Sequence, residues 1–274
     1  MSNEEIGRAA AVEFRQRHAM GDEPIADMAR LIERTTGVGV AFVGVPAPGH
    51  GMTMARGEDH LIAVGCTEHP MRLRSTLAHE LGHLVLGTVD REVHGVNWDE
   101  RTPEEIQADA FARHLLVPMT GVSRVVEGRE ATLAMLSDLV QAFLASPSLV
   151  AIQVRDSGAV DQTTFQHWRT MAAGTLAARF GWHSQYQSLV TQSRRPRAPQ
   201  ALLARAIEGY RWGLVSPAVI ARLDGKPNPR SVVASLAEDG IVVQEFPDAT
   251  ASPPKVIGQP LTPEELRMLS GGDD

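Results

Sequence analysis

Three chemically active side chains lie close together at His79, Glu80 and His83, in the sequence STLAHELGHLVLG. Apolar residues recur around them at helical spacing, which predicts a helix packed on one face, with Ser75 or Thr76 as its N-cap. Residues four apart lie on the same face of a helix, so the two imidazoles can bind one zinc ion. The intervening glutamate could then take a proton from the water that attacks a substrate. The same four-residue spacing also occurs by chance on surface helices, so a third ligand must be found elsewhere.

A second helix is predicted between Thr102 and Pro118. Thr102 is a suitable N-cap, Pro103 suits the first helical position, and Pro118 marks the far end. Ala108 and Ala112 are small residues on one face of this segment. They would allow it to approach the histidine helix closely.

Glu105 is the candidate third ligand, because catalytic zinc usually has three protein ligands and one open position. A capping box, Thr-x-x-Glu, would also explain a glutamate here. Glu104 is the rival carboxylate, although it points about a third of a turn away from Asp109. Asp109, one turn after Glu105, would accept the free ring N–H of a zinc-bound histidine and fix its tautomer. The alternative for Asp109 is an ordinary solvated charge.

A hydrolytic zinc site also needs a donor that stabilises the oxyanion of the transition state. Arg113, His114, His94 and Tyr210 carry suitable groups. The sequence alone does not show which of these four residues stabilises the oxyanion.

The sequence RLRSTLAHELGHLVLG followed by EEIQADAFARHLLVP resembles the ImmA/IrrE family of metallopeptidases. The family pairs an A-H-E-x-G-H helix with a later E-x-x-A-[N/D]-x-F-A-x-x-L-L-x-P helix, and both patterns occur here in order. The resemblance covers roughly residues 25 to 120. It implies His79, His83 and Glu105 as zinc ligands and Glu80 as general base. One departure is Ser75, where an aromatic residue often stands.

The resemblance also implies a substrate. Members of the family typically cleave a cognate helix-turn-helix repressor, which releases genes for stress response or mobile-element transfer. We therefore expect a zinc-dependent endopeptidase with such a repressor as its protein partner. The alternative is a DNA- or protein-binding regulator that uses the protease fold as a scaffold or sensor.

The order of predicted elements indicates an α+β fold. Short β-branched segments at 38–45, at 51–55 and from residue 61 predict a small antiparallel sheet beside the histidine helix. We predict a zincin-like metallopeptidase domain at 1–122, a helical region at 123–190, and a helical C-terminal region with a basic patch and a flexible tail at 191–274. Ser-Pro pairs at 146 and 216 begin helices in two hairpins that resemble a helix-turn-helix.

The second hairpin lies in a locally basic stretch. Residues 191–240 hold eight basic side chains against four acidic ones. The basic residues are Arg194, Arg195, Arg197, Arg205, Arg211, Arg222, Lys226 and Arg230. Such a patch could contact DNA through residues 194–230 or dock an acidic protein face. A helical bundle with ordinary surface arginines is the alternative.

The composition limits the class of protein. A net charge of −7 argues against general affinity for nucleic acid. The single cysteine, Cys66, permits no internal disulfide, which is typical of a reducing compartment. The N-terminus lacks the pattern of a signal peptide, and no apolar run approaches the ~18 residues that a membrane span needs. We therefore predict a cytoplasmic protein with no membrane contact.

Overall fold

The computed structural model describes residues 1–45, 50–56, 59–89, 102–226 and 228–244. The predicted α+β fold is confirmed, with a small sheet followed by a helical second half. His94 and the tail beyond residue 244 lie outside the described residues. The elements in chain order are α1 (Asn3–Arg17), α2 (Met28–Thr36), β1 (Gly39–Val43), β2 (Gly51–Arg56), β3 (Asp59–Gly65), α3 (Pro70–Leu86), α4 (Pro103–Leu116), α5 (Met119–Val126), α6 (Leu133–Phe143), α7 (Pro147–Asp156), α8 (Gln162–Arg169), α9 (Ala173–Arg179), α10 (His183–Ser193), α11 (Gln200–Arg211), α12 (Pro217–Leu223) and α13 (Pro229–Glu238).

The sheet is mixed, and the prediction of an entirely antiparallel sheet is wrong for one of its two pairs. The strand order is β1-β3-β2. β2 and β3 form the expected antiparallel hairpin, with Thr53 opposite Ile62. β1, however, pairs parallel to β3, with Val40 opposite that same Ile62. The hairpin of β2 and β3 places β3 in the middle of the sheet, where it runs in the same direction as β1. The alternation of apolar and polar side chains along a strand cannot reveal that order.

The histidine helix α3 begins earlier than predicted. Its first residue is Pro70 and its N-cap is His69, whose side chain makes no capping hydrogen bond. The predicted N-cap at Ser75 or Thr76 is therefore wrong, and the hydroxyl of Ser75 donates to the carbonyl of Arg72 inside the helix. Proline at the first position needs no N–H partner, which explains the earlier start.

The ligand helix α4 matches the prediction at both ends and lies between two other helices. The hydroxyl of Thr102 accepts a hydrogen bond from the backbone N–H of Glu105, as an N-cap does. On one side, Gly82 of α3 approaches so closely that an added Cβ would lie 3.1 Å from the Cα of Ala108. On the other side, Gly7 of α1 lies against the backbone of α4. These contacts fix α4, and with it Glu105, relative to α3.

Two hydrophobic cores are present in the described residues. The main core extends in sequence from Ala11 to Trp182, and so includes side chains on both sides of residue 122. A smaller cluster joins α11, α12 and α13. Its buried members are Ala206, Tyr210, Ile220, Ala221, Val232 and Leu236.

No single helix in the described part of the chain is both long and apolar enough to cross a bilayer. The helices α6 and α7 reach the required length and apolarity only as a pair, across a bend of 111°.

Candidate metal centre

Three nitrogen and oxygen donors from α3 and α4 converge on one point. The Nε2 atoms of His79 and His83 are 3.0 Å apart. One carboxylate oxygen of Glu105 lies 3.2 Å from the Nε2 of His79, and the other lies 3.3 Å from the Nε2 of His83. Among the described residues, these three form a group that could hold a metal ion.

The spacing of these donors suits tetrahedral zinc. Bonds of about 2.0 to 2.1 Å at tetrahedral angles place neighbouring ligand atoms about 3.3 Å apart. The observed separations of 3.0 to 3.3 Å are close to that value. Two imidazoles and one carboxylate are also a ligand set of catalytic zinc, with the fourth position left for water or substrate. The residues present therefore fit the metal.

Glu104 and Glu105 were rival candidates for the third ligand, and the directions of their side chains distinguish them. Glu104 is exposed, and its pKa is lowered first by a hydrogen bond of its carboxylate to its own backbone and then by one to the side chain of Thr102. Glu105 gives only its backbone N–H to Thr102, and its carboxylate faces the histidines. Capping and metal binding therefore do not compete, because they use different atoms of the same residue.

Each histidine has a second partner on its other ring nitrogen. The Nδ1 of His79 lies 3.0 Å from the Oδ1 of Asp109, which is the contact predicted from the sequence. The Nδ1 of His83 lies 2.8 Å from the hydroxyl of Thr88. Such partners orient an imidazole and hold its proton on the nitrogen that does not face the metal. Thr88 carried no signal in the sequence beyond its place just after the helix stop at Gly87.

Without metal, the site holds ion pairs between its histidines and carboxylates. Burial lowers the pKa of His79, but the hydrogen bonds and charges of Asp109 and Glu105 outweigh it and raise that pKa to about 10. Hydrogen bonds from His79 and His83 lower the pKa of Glu105 in turn. The carboxylates of Glu105 and Asp109 therefore favour a positive charge among these residues.

Glu80 is held beside this group by the sheet. Its side chain is buried, and its Oε2 accepts a hydrogen bond of 2.7 Å from the hydroxyl of Thr53 in β2. The backbone of Gly51 lies against the other carboxylate oxygen, since a Cβ there would come within 2.8 Å of Oε1. β2 therefore fixes the carboxylate, and neither of its two residues was singled out from the sequence. The separation of 27 positions between Thr53 and Glu80 left no local pattern to find.

The described candidates for an oxyanion donor have other partners. Arg113 and His114 turn towards α1 and α7, where they contact Glu4 and Gln153. Tyr210 lies in the separate core of α11–α13. His94 is outside the described residues. Within the described residues, Arg113, His114 and Tyr210 are therefore not brought to the donor group.

The basic stretch at 194–230 is partly neutralised within the chain. At least four of its eight basic side chains have acidic partners: Arg194 with Glu68, Arg197 with Glu33, Arg211 with Glu208, and Lys226 with Asp224. The helix α13 follows the second hairpin as a third helix, and Arg230 is its single basic residue. Less free charge is thus available to phosphates than the sequence suggests.

Comparison with known protein families finds a match over the part of the chain that holds these residues. The family model described as the IrrE N-terminal-like domain, Peptidase_M78, matches residues 46–153, a range that contains both ligand helices. A search of curated proteins found no match to the chain. The matched residues include the HExxH helix and the later carboxylate helix in the order that the sequence resemblance implied. Residues 46–153 of the chain are therefore similar to the IrrE N-terminal-like domain, in agreement with the resemblance that the two sequence motifs carry.

Proposed function

We propose that the protein is a cytoplasmic zinc-dependent endopeptidase that cleaves a cognate helix-turn-helix repressor and thereby releases stress-response or mobile-element genes. One observation carries the hydrolytic part: His79, His83 and Glu105 come together from two helices beside the buried carboxylate of Glu80. The family match supports a peptidase of the metal-dependent kind. The repressor is proposed from the resemblance alone.

In this proposal His79, His83 and Glu105 hold the metal. Zinc supplies Lewis acidity, which lowers the pKa of water toward about 7 and polarises the scissile carbonyl. Glu80 accepts the proton of the attacking water and passes it to the leaving amine. Thr53 orients the Glu80 carboxylate for this role, since its hydroxyl donates to one of the two oxygens. Asp109 and Thr88 hold the two imidazoles in the coordinating orientation.

The edge of the sheet offers a place for an extended peptide. Among the described strands, β2 lies at an edge of the sheet, and it carries both Gly51 and Thr53 next to Glu80. An edge strand presents backbone N–H and C=O groups that can pair with an added strand. A substrate segment paired to β2 would lie across the donor group, with its peptide bond near Glu80. This arrangement requires an unfolded or extended segment in the substrate.

Substitution of Glu80 by Gln tests the assignment of the base. Glutamine keeps the size of the side chain and removes the basic carboxylate, so we expect zinc content to be unchanged and cleavage to fall by at least about a hundredfold. His83→Ala should lose both zinc and cleavage. Zinc is measured by metal analysis of the purified protein, and cleavage by electrophoresis and mass spectrometry of the products. Normal cleavage by Glu80→Gln would disprove the role.

The substrate requires its own experiment. The purified protein is incubated with the helix-turn-helix repressor encoded next to its own gene, with zinc or with chelator, and in parallel with casein. One cut in the repressor that needs metal, with casein intact, is the expected result. Cleavage of casein as well would indicate a broad-specificity peptidase. Promoter binding that is unchanged in Glu80→Gln, with no cut in the repressor, would favour the regulator that uses the fold as a scaffold.

A further inference from the structure

A cavity of about 880 Å³ lies between the first half of α3 and the C-terminal helices, away from the metal centre. Its walls come from the start of α2, the segment that joins α10 to α11, and the cluster of α11–α13. This volume is within the range of about 300 to 1,000 Å³ that small-molecule sites occupy. The cavity is thus large enough for a small organic ligand.

The walls of the cavity are mainly apolar. Leu73 and Leu77 contribute from α3, Phe42 from β1, and Leu203 and Leu223 from the C-terminal helices. Leu73 and Leu77 belong to the main core, whereas Leu203 and Leu223 pack on the smaller one. A ligand with an apolar body would therefore replace water at a surface that both cores share.

The charged groups that line the cavity have an excess of positive charge. The lining includes four cations, Arg74, Arg195, Arg197 and Lys226, but only two carboxylates, Asp27 and Asp224. Two of the cations are already in ion pairs, Arg197 with Glu33 and Lys226 with Asp224. The excess charge therefore rests with Arg74 and Arg195.

Arg74 is a buried cation whose hydrogen-bond partners are all neutral. It is 6% exposed, and its guanidinium donates to the backbone carbonyls of Leu144, Ala26 and Ile25. Burial lowers its pKa to about 10, although the charge of Asp27 acts in the opposite direction. A buried charge is most stable beside an opposite charge, so an anion in the cavity would stabilise this one.

Arg195 provides a second cation at the rim. Its side chain is exposed and lines the cavity, and within the described ranges no ion pair engages it. Asp27, the acidic group nearest to Arg74 on the wall, is already used, because it accepts the backbone N–H of Arg30 as the N-cap of α2. The cavity thus combines an apolar interior with cations at its inner wall and at its mouth.

We propose that this cavity binds a small organic anion, in which a carboxylate or phosphate group is attached to an apolar body. The anionic group faces Arg74 and Arg195, and the apolar body lies against Leu73 and Leu77. Leu77 is two residues before the metal-ligating His79, so the ligand would contact the helix that carries the metal centre. The site is separate from the proposed hydrolysis and does not depend on it.

Calorimetric titration of the full chain with four probes of equal chain length tests this proposal. The probes are octanoate, octyl phosphate, octan-1-ol and octylamine, each below its aggregation limit. We expect saturable binding of both anions, at least tenfold weaker binding of the alcohol, and no binding of the amine. The tighter of the two anions identifies the head group. Equal affinity for octan-1-ol and octanoate, or no saturable binding of any probe, would overturn the proposal.

Two matched variants locate the binding. Arg195→Glu should weaken octanoate binding at least tenfold, because it reverses a charge at the mouth of the cavity. Arg205→Glu makes the same change at an exposed position of α11 that does not line the cavity, so its affinity should equal that of the unchanged protein. Equal losses in the two variants would show that octanoate responds only to net charge, and the cavity would not be its site. Because the readout is binding, a peptidase that proves inactive leaves this test intact.

Discussion

The position of one proton on His79 determines whether the imidazole can act as a ligand. A neutral imidazole coordinates through the nitrogen that lacks a proton. Asp109 accepts at Nδ1, so the proton is held there and Nε2 faces His83 and Glu105. In the proposed site, a carboxylate outside the ligand set would therefore prepare a ligand within it.

The hydrogen bond between His79 and Asp109 predicts the effect of Asp109→Ala. Loss of such a hydrogen-bonding partner typically costs about 10- to 100-fold in metal affinity. We expect a loss of that size in zinc affinity, measured by competition with a chromophoric chelator. Glu104→Ala removes an exposed carboxylate from the same helix and should leave the affinity unchanged. Similar losses in both variants would mean that only the net charge of α4 matters.

His114 predicts how stability responds to acid. Burial is the largest cause that lowers its pKa, to about 4, with Arg113 and Arg8 acting in the same direction and Glu4 opposing. Below its ordinary pKa of about 6.5, the unfolded chain binds a proton that the folded protein does not accept until about pH 4. Folding stability should therefore fall as the pH drops through this window, because the unfolded state holds more protons.

The variant His114→Gln removes this titration. Urea unfolding at intervals from pH 7 to pH 4 should show a smaller loss of stability in the variant than in the unchanged protein. His167→Gln is the control, since this histidine is exposed on α8. The assignment to His114 fails if the two variants lose stability equally.

At the scale of elements, local signals predicted some features and missed others for identifiable reasons. The ends of α4 were correctly predicted because their signals are local: Thr102 caps the helix with its hydroxyl, and Pro103 and Pro118 act through their own backbone. The start of α3 was predicted too late, since a hydroxyl residue is the usual N-cap and this helix begins at a proline without one. The parallel pairing of β1 with β3, and the contact of Thr53 with Glu80, depend on chain segments far apart in sequence.

The close packing of α3 on α4 predicts an unusual response to Gly82→Ala. Alanine in a helix interior is ordinarily more stable than glycine by roughly 0.5 to 1 kcal/mol. Here the added Cβ would lie 3.1 Å from the Cα of Ala108 and 3.1 Å from the ring of Phe111. Backbone cannot yield as a flexible side chain does, so we expect a net destabilisation of about 1 to 3 kcal/mol.

The same substitution should also weaken the proposed metal site, because a shift of α4 that relieves the contact would displace Glu105 relative to the histidines. Urea unfolding and zinc competition measure the two effects. Val85→Ala changes an exposed residue of the same helix and should leave zinc affinity unaltered. A stabilised Gly82→Ala variant would show that the two helices are less closely packed than the structure indicates.

At the scale of the whole molecule, one carboxylate joins the C-terminal helices to the sheet. Glu33 of α2 accepts hydrogen bonds from the backbone N–H groups of Val40 and Gln200, at 3.2 and 2.9 Å, and pairs with Arg197 at 2.6 Å. The backbone of Arg197 in turn exchanges two hydrogen bonds with Phe42 of β1. The segment between α10 and α11 therefore covers the β1 edge, and the opposite edge of the sheet, β2, lies beside the metal centre.

Glu33→Gln should loosen the C-terminal helices selectively. Glutamine replaces one accepting oxygen with a donor, and a hydrogen bond to a charged group is worth about 1.5 to 3 kcal/mol. The helices α11–α13 have their own small core, so they can detach while the main core stays folded. We expect amide hydrogen exchange in α11–α13 to accelerate at least tenfold, with α3 and α4 unchanged. Glu68→Gln removes the exposed partner of Arg194 and should accelerate neither. Uniform acceleration along the chain would instead show that the two cores unfold as one cooperative unit, and Glu33 would then stabilise the whole fold and not the junction.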